Sequence, residues 1–98
     1  MTEEKTRRQL QTVANEVMVE LKPGDGVFLD CEVRELPKLL WGINFSYRHP
    51  WGGLQFVPAL IIDDAYPFLP DRDELKDRIR KYLLANPPRK RIQRTATH

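Results

Sequence analysis

The side chains in this chain that could do chemistry are few. Cys31 stands alone, His49 precedes a proline, and His98 is the last residue. A nucleophilic thiol needs a cation or a base beside it to hold the thiolate. No histidine or acid is set beside Cys31 by any sequence pattern, and an alternating apolar run places it mid-strand, where cysteine acts as a small hydrophobe. A metal centre needs several His or Cys ligands at close spacing, and none occurs. Asp63-Asp64 flank a turn, and Asp71, Asp73 and Glu74 head a helix; turn and capping chemistry accounts for both groups. Gly24-Asp25-Gly26 precedes a strand rather than a helix, so it lacks the context of a phosphate loop. No pair of residues meets the geometry of acid–base or nucleophilic work. The expectation is a protein without enzymatic activity, cofactor or metal.

Charge offers a second chemistry. The chain carries a net +2, but residues 87–98 hold Arg89, Lys90, Arg91 and Arg94 and no acid. The remainder is therefore mildly acidic, unlike a uniformly basic nucleic-acid binder. The basic tail could contact phosphate, act as a targeting address or remain solvated. The order α-β-β-β-α is shared with double-stranded-RNA-binding domains, which place lysines at the start of the second helix. Here that position reads Asp71-Arg72-Asp73-Glu74, which repels phosphate. Trp41, Phe45 and Tyr47 share a strand face with Ile43 and read as core rather than as a base-stacking platform. A nucleic-acid-associated protein using Arg89, Lys90, Arg91 and Arg94 is the alternative reading.

The elements that would position these residues follow from periodicity. Ninety-eight residues make one domain, and 41% hydrophobic with 31% charged residues is a globular composition. Leu10, Val13, Ala14, Val17, Met18 and Leu21 recur at helical spacing over 3–21, and Lys22-Pro23-Gly24-Asp25-Gly26 stops that helix. Period-two alternation marks strands over 27–34 (Leu29, Cys31, Val33 inward) and 39–49 (Trp41, Ile43, Phe45, Tyr47, His49 inward). A third follows the Pro50–Gly53 turn, with Leu54, Phe56, Leu60 and Ile62 expected inward. Asp71 opens a second helix over 71–85, ended by Asn86-Pro87-Pro88. The fold class is α+β: a three-stranded antiparallel meander with two helices on one face, over residues 1–86, and a basic, disordered tail over 87–98. No apolar run approaches the ~20 residues of a membrane span. The polar N-terminus does not read as a signal peptide, and a lone cysteine fits a reducing compartment, so the expected location is cytoplasmic.

Partner binding is the leading reading. On the third strand the face opposite the expected core is also apolar, with Val57, Ala59 and Ile61, and Pro58 marks a sheet edge or a bulge. Trp51 at the Gly-Gly turn is either an interface anchor or a lid folded onto the core. Val57, Ala59, Ile61, Trp51 and Arg48 are the candidate contacts for another protein, with a homodimer through the same face as one form. Ile61→Asp is expected to abolish association and leave the fold intact.

Residues 50–70 resemble the core of the ubiquitin-conjugating-enzyme and RWD superfamily. Pro50, Gly52, Gly53 and Phe56 lie close to its Pro-Tyr-x-Gly-Gly turn, one residue short, and Tyr66, Pro67, Phe68 and Pro70 match its Tyr-Pro-Phe-x-Pro-Pro corner, with Asp71 in place of the last proline. Arg7 and Arg8 on the first helix are also family-like. No cysteine follows Tyr66, so the catalytic thiol of that family is absent, as is its His-Pro-Asn element. The resemblance covers about a fifth of the chain. It implies a non-catalytic interaction module in which Tyr66 stacks at the corner and Pro67 and Pro70 set the chain direction.

Overall fold

The computed structural model describes residues 2–21, 24 and 26–89, in the order α1 (Thr2–Glu20), β1 (Phe28–Leu36), β2 (Leu40–Arg48), β3 (Leu54–Ile62) and α2 (Arg72–Ala85). The three strands form one antiparallel sheet in the order β1-β2-β3. Leu10, Val13, Ala14 and Val17 of α1 and Leu75, Ile79 and Leu83 of α2 share one core with Val33, Ile43, Phe45 and Ile62 of the sheet. Both helices therefore cover the same face, and the α-β-β-β-α expectation holds.

Local chemistry places the ends. The Asp71 carboxylate accepts from the Asp73 amide, capping α2 as its position predicts. Glu74 does not close a capping box; it reaches Arg78 instead. Asn86 ends the helix, its backbone amide donating to Leu83 O. The β1–β2 loop turns through Lys38 and Leu39, both in the left-handed region at φ 64° and 63°. Such residues suit tight hairpins, although neither is the glycine or asparagine such positions prefer. The helices are tied by ion pairs: Glu20 receives Lys76 at 2.8 Å and Arg80 at 2.7 Å, and Glu16 receives Arg72. Arg78 holds both Asp64 oxygens at 2.9 Å, fixing the segment after β3 to α2. That bidentate bond keeps the Asp64 carboxyl below the ordinary range.

β3 departs from simple alternation. Its register against β2 runs Arg48↔Leu54, Tyr47↔Gln55, Ser46↔Phe56 and Phe45↔Val57, then resumes at Ile43↔Leu60 and Trp41↔Ile62. Two residues, Pro58 and Ala59, thus oppose the single residue Asn44. This is a β-bulge on an edge strand, both of the situations that tolerate a proline without an amide hydrogen. An extra residue inverts the side-chain parity on one side of it. The expectation for 54–57 is accordingly reversed: Val57 is buried at 5% exposure, whereas Leu54 at 53% and Phe56 at 73% face solvent. Beyond the bulge the expected parity stands, with Ile62 in the core and Ile61 45% exposed. Val57 therefore packs the core and cannot serve as a partner contact.

Candidate protein-docking face

The sheet face turned away from the helices carries alternate residues of all three strands. The paired rows run Phe28–Arg48–Leu54, then Asp30–Ser46–Phe56, and beyond the bulge Arg34–Gly42–Ile61. Phe28, Leu54, Phe56 and Ile61 are all exposed, so the face presents an apolar corner with one cation, Arg48, set between Phe28 and Leu54. Gly42 lies at its middle; a Cβ there would come within 3.1 Å of Leu36 Cδ1. Ala59 flanks the same spot, half-buried.

Of the expected contacts, Arg48, Ala59 and Ile61 lie on this face, Val57 does not, and Trp51 stands apart. The Trp51 ring stacks on His49 at 4.2 Å between centroids and 11° between planes, and remains 42% exposed. It is a lid over a buried histidine at the hairpin end. The hairpin closes through His49 N to Gly53 O (2.8 Å) and Gly52 N to His49 O (3.0 Å), and Gly52 at φ 100° occupies a conformation that needs glycine. Phe28, Leu54 and Phe56 were not among the contacts expected from the sequence. For Leu54 and Phe56 the available signal was Pro58, since a bulge there exchanges the two faces of the preceding residues; for Phe28 it was the alternation of β1.

Each sheet edge is met by a helix side chain at one point. β1 pairs only with β2, so every second amide points to the free side. Gln11 of α1 reaches over that edge, its Oε1 accepting from the Val33 amide at 3.3 Å. On the other edge Pro58 lacks an amide hydrogen, and its carbonyl accepts from the Tyr82 hydroxyl of α2. Both devices blunt strand addition.

Cys31 sits in the same Gln11 cluster. Gln11 Nε2 donates to its sulfur at 3.0 Å, and Asn15 Oδ1 lies 3.6 Å away. Burial pushes the thiol up to about 11; the Gln11 hydrogen bond opposes the rise, and the Asp30 carboxylate adds to it. The thiol is therefore protonated at neutral pH. Iodoacetamide at pH 8 should alkylate native Cys31 about 100-fold more slowly than the urea-unfolded chain, in proportion to the thiolate present. The folded thiol keeps its proton where the unfolded thiol loses it, so stability should fall as pH rises from the unfolded value towards about 11.

Residues 86–89 form a strap across the inner end of the sheet. Tyr47 Oη donates to Asn86 O at 2.9 Å, Gln55 Nε2 to Pro87 O at 3.3 Å, and the Arg89 amide to Gln55 Oε1 at 2.8 Å. The same Gln55 oxygen lies 3.0 Å from His49 Nε2, which makes that nitrogen the donor and leaves the buried Nδ1 without a partner. Arg89, expected in a disordered tail, is thus held through its backbone. Lys90, Arg91, Arg94 and His98 lie outside the described residues. Deleting 87–98 should cost about 2 kcal/mol, because it removes both Gln55 bonds and uncovers Tyr47 and Leu83, which Pro87 and Pro88 adjoin. A chain ended after Arg89 retains both bonds. Urea unfolding of the two truncations checks this.

Tyr66 and Phe68 are both exposed, and the Tyr66–Pro67 peptide is cis. Beside it a groove of about 770 Å³ runs along α1, with Lys5, Arg8 and Arg72 around it. Among the described residues no three His, Cys, Asp or Glu side chains gather as metal ligands, and no helix is long and apolar enough to cross a membrane. The chain matches no protein-family model, no curated protein and no solved structure.

Proposed function

We propose that this chain is a small, non-catalytic protein–protein interaction domain, an adaptor or inhibitor, that docks another protein on the outer face of its sheet. One observation carries the reading: Phe28, Leu54 and Phe56 form a solvent-facing apolar corner on a sheet whose two edges are each met by a helix side chain at one point. Large exposed side chains grouped in this way mark interaction surfaces, and burying one phenylalanine supplies roughly 1.5–3 kcal/mol of association. Arg48, between Phe28 and Leu54, adds the kind of residue that anchors such contacts. The protonated, hydrogen-bonded Cys31 accords with a non-catalytic role. The corner resemblance to RWD-type modules implies the same role.

A tagged pull-down from native lysate tests it, with half of each sample treated with nuclease. Protein captured by the wild type should be retained by Leu84→Asp, a change at an exposed residue of α2, and lost with Phe56→Asp. Equal capture by Phe56→Asp would move the contact off this face. Loss of all material on nuclease treatment would assign binding to the basic tail instead.

A further inference from the structure

We infer that the outer face is self-complementary and pairs with a second copy of this chain, sheet against sheet, about a two-fold axis lying across the strands at the level of Glu32 and Asn44. This rests on the reading of that face as a docking surface and names its occupant. The outward residues of β1 run Phe28, Asp30, Glu32, Arg34, Leu36: apolar, acid, acid, base, apolar. A two-fold through Glu32 sets each residue against its mirror in the row. Phe28 then meets Leu36 of the second copy, and Asp30 meets Arg34, each contact occurring twice. On β3 the same operation sets Phe56 against Ile61, again twice, both of them exposed in the single chain. The residues nearest the axis on the other strands are small or neutral: Gly42, Asn44, Ser46 and Ala59. They let two sheets approach to the ~10 Å of an aligned sandwich.

Glu32 meets its own copy at the axis. Arg34 Nε lies 3.1 Å from Glu32 of its own strand, so the cation stands between that carboxylate and Asp30 of the second copy and offsets the repulsion. The footprint is about 14 by 30 Å from three strands of nine residues. That plane is about 420 Å², roughly half the ~800 Å² per partner of a standard interface, so the dimer is a weak, reversible one. Strand addition is the competing way for two sheets to join, and Gln11 and Pro58 obstruct it at the two edges.

Sedimentation equilibrium of the full chain over a wide concentration range tests the pairing. The wild type should dimerise reversibly. Asp30→Arg alone and Arg34→Glu alone each turn two attractions into two repulsions and should raise the dissociation constant about thirtyfold. Mixing the two single variants should restore the dimer. At one contact the arginine introduced by Asp30→Arg faces the glutamate introduced by Arg34→Glu, and at the other the native Asp30–Arg34 pair forms. The doubly exchanged chain, Asp30→Arg with Arg34→Glu, should dimerise as well as the wild type. Both positions are exposed, so circular dichroism should show all variants folded. A wild type that stays monomeric throughout, or single variants that dimerise unimpaired, overturns the pairing. So does a mixture that fails to associate. A monomeric wild type whose lysate partners are still lost with Phe56→Asp would refute the second copy and leave the docking face standing.

Discussion

Val57→Asp should leave this chain unfolded at room temperature, whereas Phe56→Asp, one residue earlier, should melt within a few degrees of the wild type. Val57 lies opposite Phe45 on the helix-covered face, and an aspartate there would bury a carboxylate without a partner. That costs several kcal/mol even when the group takes up a proton, out of the roughly 5–15 kcal/mol that holds a domain of this size together. Phe56 lies opposite Ser46 on the open face, so its replacement removes no core contact and only lowers exposed apolar surface. Thermal melts followed by circular dichroism separate the cases. Unbroken alternation through Pro58 demands the reverse outcome, with Phe56→Asp unfolded and Val57→Asp folded. The pair of variants therefore reads the bulge directly. It also decides whether the loss of partner binding in Phe56→Asp is a surface effect. Ile61→Asp, beyond the bulge, should behave like Phe56→Asp, since both parities leave that residue outside.

The elements were legible because each is signalled locally. Apolar residues of α1 recur at helical spacing, Asp71 caps α2, and β1 and β2 alternate without interruption, so their inward faces follow from counting by two. The docking face was only partly legible, because β3 is the strand whose alternation is broken. Val57, Ala59 and Ile61 share parity in sequence, but Pro58 and Ala59 together oppose Asn44, and Val57 falls on the other face from Ile61. A proline in a strand signals a bulge or an edge; it does not say which flank keeps its parity, because that is settled by which apolar set the helices can cover. Here Phe45, which lies opposite Val57, and Tyr82, which donates to Pro58 O, both flank the bulge. The two edge contacts were not legible at all. Gln11 and Tyr82 are 22 and 24 residues from the backbone groups they satisfy, and no local pattern links such pairs. The strap over Gln55 was hidden for the same reason: Pro87-Pro88 ends a helix, and only the fold brings the following residue back to the sheet.

Phe45→Ala should destabilise the fold by about 4 kcal/mol, the largest loss expected from a single truncation that introduces no charge. Phe45 is at the centre of the inner face, 1% exposed, paired with Val57 next to the bulge, and its ring lies 6.3 Å from that of Tyr82. Removing the ring takes away its transfer free energy and leaves a cavity that two helices and a twisted sheet cannot collapse to fill. It also removes the surface that holds Tyr82 in place to donate to Pro58 O. Tyr82→Phe alone should cost about 1 kcal/mol, the worth of one hydrogen bond to a backbone carbonyl. If the Phe45 ring positions that hydroxyl, the two losses overlap, and the double variant should be less destabilised than the two separate losses added together. Urea denaturation of the four proteins measures the coupling. Strict additivity would mean that the bulge holds its shape through the backbone alone, with Tyr82 only resting on it. A coupling of about half a kcal/mol or more would mean that core packing at Phe45 sets the parity of β3, and through it the composition of the face that meets a partner.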